Sequence, residues 1–523
     1  MELVPMDLNT SLSIATSGLE ATQYAIGVLS QNVSNASTTG YVEEVANVNT
    51  KDTTGTGSGV SIGLTTRNVN NALEAGLYTQ NADVEALTVK DNSLSTITAL
   101  QGSTSSDSGS TDTLSDELGN VSDALTTLVS DPTDSTAQST VISDAQSLVS
   151  TISTLSDAYQ SARQSAQDSI VSGVSSVNTD LTTIGSLSQQ IVALQVQGAS
   201  TADLENERAE AMSDLSSKVS VTFTETSTGD MLVKTADGTQ LPTEPASGSG
   251  IEIPTSTWPL STSDSTLTTT SAYTDPSTLT SDPAAIELNG KDITTSLTGG
   301  SLGANIALRD TTYPTMQAQL DSFSYTLANR FESAGLSLFT SSSDSMTFSD
   351  GTTLASDGST TTANSSSISS TNITGFSSTL EVNPSFVSDT SQLVPDGSTT
   401  LAAAALSTAL GSADADVSGD LAAPSTSLGA TGTISTGYSG TQSLSELATT
   451  LTSAQAAVAS SATSDLSTAT TVQTSLATKV SDVSGVDVDN EMSNIVALQN
   501  AYTANAKVVT VVQTMWTALL DAV

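Results

Sequence analysis

Two heptad seams, one at each end of the chain, limit what this sequence can fold into more than any other feature. From Leu8 to Ala36, apolar and small residues fall at Leu8, Leu12, Ala15, Leu19, Ile26, Leu29, Val33 and Ala36, with Thr22 filling the gap. Steps alternating between four and three draw a single stripe along a helix. Ile495, Leu498, Tyr502, Val509, Val512, Trp516 and Leu519 draw a second stripe over 488–522. An isolated helix gains little from propensity, so each stripe needs a partner to cover it. The pattern predicts that the two ends pair with each other and then with further copies of the chain, as in a self-assembling structural protein.

A chain of 523 residues exceeds one compact core and predicts about three folding units. Aromatic residues make up only 3%, so packing must rely on Leu, Ile, Val and Ala. Twelve basic residues against 55 acidic ones give a formal net charge of −43. Such a surface repels phosphate backbones and anionic lipid, which argues against nucleic-acid and membrane partners. It also keeps a Ser/Thr-rich chain in solution.

Enzymatic chemistry has little to work with. Histidine and cysteine are absent, which removes imidazole bases, Ser-His-Asp triads, disulfides and thiolate metal sites. No Gly-x-Gly-x-x-Gly loop or phosphate cradle is present. In a chain this acidic, the spacing of carboxylate pairs carries no information. The run Asp414-x-Asp416-x-x-Gly419-Asp420 hints at a calcium loop, but Ser425 stands where a bidentate Glu is required. No catalytic, cofactor-binding or metal-ligating residue is predicted. The opening Met1–Met6 lacks a basic region followed by an apolar one, so any export is expected to proceed without a cleaved signal peptide. No apolar stretch approaches the roughly 20 residues that span a bilayer.

Between the ends, the period of the pattern changes. A Gly/Thr/Asn-rich connector with short strands covers 42–71, and helical spacing returns from Ala72. A short helix through Leu114–Leu128 stops at Asp131-Pro132. The longest periodic run starts at Val141, shifts its seam at Ile170, and predicts a helix of about fifty residues ending at Gly198. Ala202–Lys218 is a returning helix. From Val219 the period becomes two, with turns at Thr228-Gly229-Asp230 and Asp237-Gly238, a β-hairpin pattern. Ile286–Gly290 predicts a further strand and tight turn. Gly299–Phe339 is helical, with Pro314 suited to a first-turn position, and Arg309-Asp310 reads as a structural ion pair. A second β portion is expected over 341–433, and Leu444–Val483 is helical up to Gly485. Lys507 either pairs with an acid on a neighbouring helix or stays solvated.

Several of these stretches carry a resemblance. Ser17-Gly18-Leu19, followed by Asn32, Ser34, Asn35, Ala36, Gly40 and Tyr41, resembles the N-terminal signature of flagellar rod, hook and hook-associated proteins. That signature usually reads Asn-Ile-Ser-Asn-Ala-Asn-Thr-Pro-Gly-Tyr. This chain departs at Val33, Ser37 and Thr39, and Glu43 and Glu44 stand where the family has basic residues. At the far end, Gly485, Glu491, Gln499, Ala501, Tyr502, Asn505 and Ala506 lie in a stretch similar to the C-terminal motif of the same family. Ala202–Arg208, Gly300–Asp310 and Val382-Asn-Pro384 resemble internal stretches of its hook-associated branch. The long helical hairpin after the first helix is also similar to that branch rather than to rod or hook proteins.

The resemblance implies a mainly α fold with β: paired N- and C-terminal coiled-coil helices, a long helical-bundle domain and an outer β-rich domain. The expected division is 1–45 plus 485–523 as the inner tube, 46–218 plus 299–340 plus 440–484 as the helical rod, and 219–298 plus 341–439 as the outer β part. It further implies a subunit at the junction of hook and filament, extracellular, forming a ring or helical layer of identical copies. Its partners would be neighbouring hook and filament proteins and an export chaperone. A hook or distal-rod subunit is the alternative within the family. A secreted acidic adhesin or surface-layer module is the alternative outside it.

Overall fold

The computed structural model describes residues 8–38, 40–53, 56–102, 113–245, 258–274, 277, 280–342, 346–347, 352–354, 360–362, 373–411 and 421–521. Met1–Met6 and the Asp414–Asp420 run lie outside them.

Helix α1 (Leu8–Asn35) is followed by strand β1 (Glu44–Val45), the hairpin β2 (Val48–Thr53) and β3 (Thr56–Ile62), and β4 (Thr66–Arg67), which returns to pair with β1. Four helices come next: α2 (Asn71–Gln101), α3 (Leu114–Ser130), α4 (Ser135–Gln197) and α5 (Ala202–Lys218). Their ends follow the local chemistry. The Asn70 side chain accepts from the Ala72 and Leu73 amides, Thr113 and Asp116 form a capping box, and Gly198 closes α4 in the left-handed conformation.

The α4 helix runs 63 residues without interruption, longer than its periodicity suggested. Its seam shift has a clear counterpart in the packing. Val141 to Ala166 belong to a core shared with α3 and with a later helix, whereas Ile170 to Ile184 belong to a second core. The stutter therefore falls where the helix leaves one set of neighbours and meets another.

The second core is closed by a small sheet of β5 (Val221–Glu225), β6 (Met231–Thr235) and β7 (Gln240–Leu241), and by another of β8 (Leu260–Ser261), β9 (Glu287–Leu288) and β10 (Lys291–Asp292). Asn289 and Gly290 both take positive φ in the turn between β9 and β10, as a tight hairpin requires. Helices α6 (Gly300–Ala307) and α7 (Tyr313–Ser333) are joined by a π turn at Leu308–Thr312, beside Pro314, which has no amide to donate. Almost all of α7 is buried.

The span 341–433 differs from its expected β character. The described strands are short: β11 (Phe339–Ser341), β12 (Met346–Thr347), β13 (Thr352–Leu354), β14 (Thr360–Thr362) and β15 (Leu380–Val382). Between and after them come short helices, α8 (Phe376–Thr379), α9 (Pro384–Ser388) and α10 (Thr400–Ala404). The alanine run from Ala402 favours helix, and Ala402, Ala405 and Ala409 are buried in the first core. The chain ends in α11 (Leu444–Ser484), which opens with a Ser443/Glu446 capping box, and α12 (Val488–Asp521).

Arginines fasten the loops to this body. Arg163 donates to the carbonyls of Arg309, Thr268 and Ser271 at 2.8, 3.0 and 2.7 Å. Arg330 donates to those of Leu421 and Gln442, both at 2.8 Å. Arg309 is fully buried, paired with Asp310 at 2.7 Å and bonded to Gln167 at 2.7 Å and the Ala284 carbonyl at 3.3 Å.

Candidate assembly site

The first and last helices lie against each other. Gly18 of α1 faces Asn505 of α12, so closely that a β-carbon on Gly18 would sit 2.9 Å from the Asn505 amide nitrogen. Asn32 of α1 donates to Glu491 of α12 at 2.9 Å. These two contacts lie equally far apart along both helices but in opposite directions, which sets an antiparallel register.

The deeply buried line on α1 is Ala15, Ala21, Thr22, Ala25, Val28 and Asn32. It is offset from the stripe of large residues expected from the sequence: Leu8, Leu12, Leu19, Ile26, Leu29 and Val33 are only half-buried. The cause is a second neighbour. The β2–β3 hairpin lies along α1, where the Ser17 hydroxyl accepts from the Val60 amide at 3.2 Å and Tyr24 bonds Gly63 and Thr65 at 3.2 and 2.7 Å. A helix held between α12 and a hairpin buries its small residues and leaves the larger ones on the flanks.

On α12, Val512 is buried, and Ile495, Leu498, Asn505, Ala506 and Val509 are half-buried. Tyr502 and Trp516 remain 41% and 43% exposed, alongside Met492, Val496, Val508, Val511, Met515 and Leu520. The free subunit thus leaves these eight large apolar side chains exposed along its last helix. The Leu519 side chain lies outside the described residues. Gln499, Ala501 and Lys507 are exposed on the same helix, and Ser34 and Gly40 are exposed at the other end of the pair. Asn35, Ala36 and Gly485 are half-buried.

Around Asn32 the helix pair meets the body in a polar knot. The Asn32 side chain, fully buried, donates to the Glu44 carbonyl at 2.8 Å and to Glu491, and accepts from the Glu44 amide and the Tyr41 hydroxyl, both at 3.0 Å. Asn206 of α5 donates to the Glu44 carboxyl at 3.0 Å and accepts from Arg67 at 2.7 Å. The Glu43 amide donates to the Ser484 carbonyl at 2.9 Å, at the break between α11 and α12.

Burial and the neighbouring Asp203 push the Glu44 carboxyl up to about 7, against the pull of Asn206 and Arg67. Burial also raises Glu491, with Glu43 adding repulsion and Asn32 opposing. Burial, then Glu44, raises the Tyr41 phenol. A buried Asn that satisfies four partners specifies register rather than chemistry.

Of the residues singled out from the sequence, Ser17, Gly18, Asn32, Tyr41, Glu491 and Asn505 are brought into this one region. The sequence reading missed Ala21, Ala25, Val28, Tyr24, Arg67 and Asn206. An available signal was Asn32 itself, a polar residue one helical step beyond Val28.

Three family models match the chain. Residues 103–343 match the flagellar hook-associated protein FlgK helical domain. Residues 12–41 match the flagella basal body rod protein model, and residues 481–522 match the C-terminal model of the flagellar basal body rod FlgEFG proteins. The chain is thus similar to hook-associated proteins over its middle and to flagellar rod proteins at both ends. Its axial terminal matches coincide with the paired helices, and its hook-associated match covers α3 to α7. Comparison with curated sequences returns no significant match. Among solved structures, the flagellar hook junction protein FlgK from Burkholderia pseudomallei aligns at 21% identity and a TM-score of 0.39. The alignment covers 51% of this chain and 45% of that one. Among the described residues, no helix is long and apolar enough to cross a membrane.

Proposed function

We propose that this protein is a non-enzymatic structural subunit of the bacterial flagellum, extracellular and seated at the junction between hook and filament, and that it assembles through its terminal helices. The observation that carries this reading is the set of large apolar side chains left open on α12. Residues 1–45 and 485–523 would form the inner tube, with 46–218, 299–340 and 440–484 as the rod around it and 219–298 and 341–439 outward. The seam residues Leu8, Leu12, Leu19, Ile26, Leu29 and Val33, together with Ile495, Leu498, Tyr502, Val509, Val512, Trp516 and Leu519, would be covered by identical copies.

Each fully buried Leu, Ile or Val contributes roughly 1.5–3 kcal/mol, so covering these side chains favours a ring or helical layer. Neighbouring hook and filament proteins, and a chaperone that shields the last helix before export, complete the expected partners. The test is a strain lacking this chain. It should build hooks but shed filament subunits into the medium. Missing hooks would point to a rod or hook subunit, and normal filaments would overturn the reading.

A further inference from the structure

We infer that Glu44 is the proton-operated part of a latch holding the terminal helix pair to the body. The inference rests on the proposed assembly role only for its biological sense, since the latch itself is a property of the single subunit.

Four pieces of chain meet around Glu44, and one of them, α5, bonds its carboxylate. It sits on β1 at 5% exposure, with its backbone clamped on both sides by Asn32 of α1. Asn206 on α5 holds the carboxyl at 3.0 Å. Arg67 on β4 is its cross-strand partner, but that guanidinium donates from Nε to Asn206, lies 3.6 Å from Glu74 and makes no hydrogen bond to the Glu44 carboxyl. Asn32 then carries the connection to Glu491 in the first turn of α12.

The remaining titratable groups around the knot are predominantly acidic. Asp203 on α5 faces Glu44 directly, and Tyr41 stands beside it. Glu43 and Asp487 face Glu491. One shared guanidinium cannot neutralise this set. With Glu44 protonated, the knot carries one negative charge less against Asp203, and its hydrogen bonds hold α1, α5 and β1 together. With Glu44 ionised, a buried carboxylate faces the exposed carboxylate of Asp203, and the cost of burying that charge pushes the junction open.

The direction follows from linkage. A carboxyl that holds its proton more tightly in the folded state than in the open one stabilises the closed state most in acid. That contribution is lost as pH rises, from the ordinary carboxylate value up to the neutral range where the buried group titrates. The latch is therefore tight in mildly acidic solution and loosens at neutral pH and above, which would release the last helix to meet other copies.

The test is hydrogen exchange of the free full-length subunit, read as the ratio of wild type to Glu44→Gln for α12 peptides at pH 5 and pH 8. The ratio removes the intrinsic pH dependence of exchange. At pH 5 the two proteins should match. At pH 8 α12 of wild type should exchange roughly tenfold faster or more, while α3 and α4 exchange equally in both. Asp203→Asn, which removes the opposing charge and keeps the side-chain shape, should slow α12 exchange at pH 8 in the same way. Circular dichroism checks that both variants are folded. A wild-type to variant ratio that stays the same between pH 5 and pH 8 would overturn the latch, as would an Asp203→Asn protein that opens like wild type. Neither result bears on whether the chain sits at the hook–filament junction, which the deletion strain decides separately.

Discussion

The helical body and the terminal helix pair are both built from long helices, yet they finish their cores in opposite ways. In the body, Val121, Leu125, Leu128, Val141, Leu148 and Ile152 have no exposed surface at all. In the pair, half of the buried line on α1 is alanine, with Gly18 at the close approach, while Met515, Val511 and Leu520 stay 54%, 57% and 66% exposed. The body is completed within one molecule. The pair is fastened by a small-residue seam and a polar knot, and its large side chains stay open to solvent.

Four substitutions probe that contrast, in order of their expected effect on the free subunit. Ile152→Ala removes a side chain from a closed core and should cost about 2–5 kcal/mol in urea unfolding of the body. A loss no larger than that of an exposed position would mean the body, too, waits for partners. Asn32→Ala leaves Glu491 and the Glu44 backbone without their partner, a cost of about 1–3 kcal/mol. Hydrogen exchange should place that loss in α1 and α12 while α3 and α4 keep their protection. Spread evenly over both regions, it would erase the distinction.

Gly18→Ala lowers the backbone entropy of the unfolded chain but pushes on the end of the Asn505 side chain, so a net change within about 0.5 kcal/mol is expected. A much larger loss would show that α12 cannot yield at this point. Val511→Asp should leave the free subunit unchanged within about 0.5 kcal/mol and abolish self-association in sedimentation. Unimpaired association would mean the open side of α12 is not the assembly surface.

Much of the body was legible because its chemistry is local. Ala202–Lys218 begins and ends as a helix where the pattern changes period, and Gly198 stops α4 by a conformation that glycine adopts freely. The length of α4 was underestimated because Ser135–Thr140 carries little apolar signal, although Asp134 caps the helix well. The site was harder to read. Heptad spacing located both helices but not the buried face of α1, because the connector's short strands gave no sign that they pair into a hairpin lying along α1. Asn206 was visible only as part of a family-like stretch, and its bond to Glu44 spans 162 positions, beyond any periodic pattern. The short helices within 373–411 were obscured by Ser/Thr-rich surroundings that suggest strands.

The guanidinium groups of Arg163 and Arg330 bind main-chain oxygens, and Arg309 does so in part. Every amino acid supplies a main-chain oxygen, whatever its side chain. The segments at 268–271, 284, 421 and 442 are therefore gripped at points indifferent to residue identity. Segments fastened this way can drift in composition without loosening from the helices that hold them.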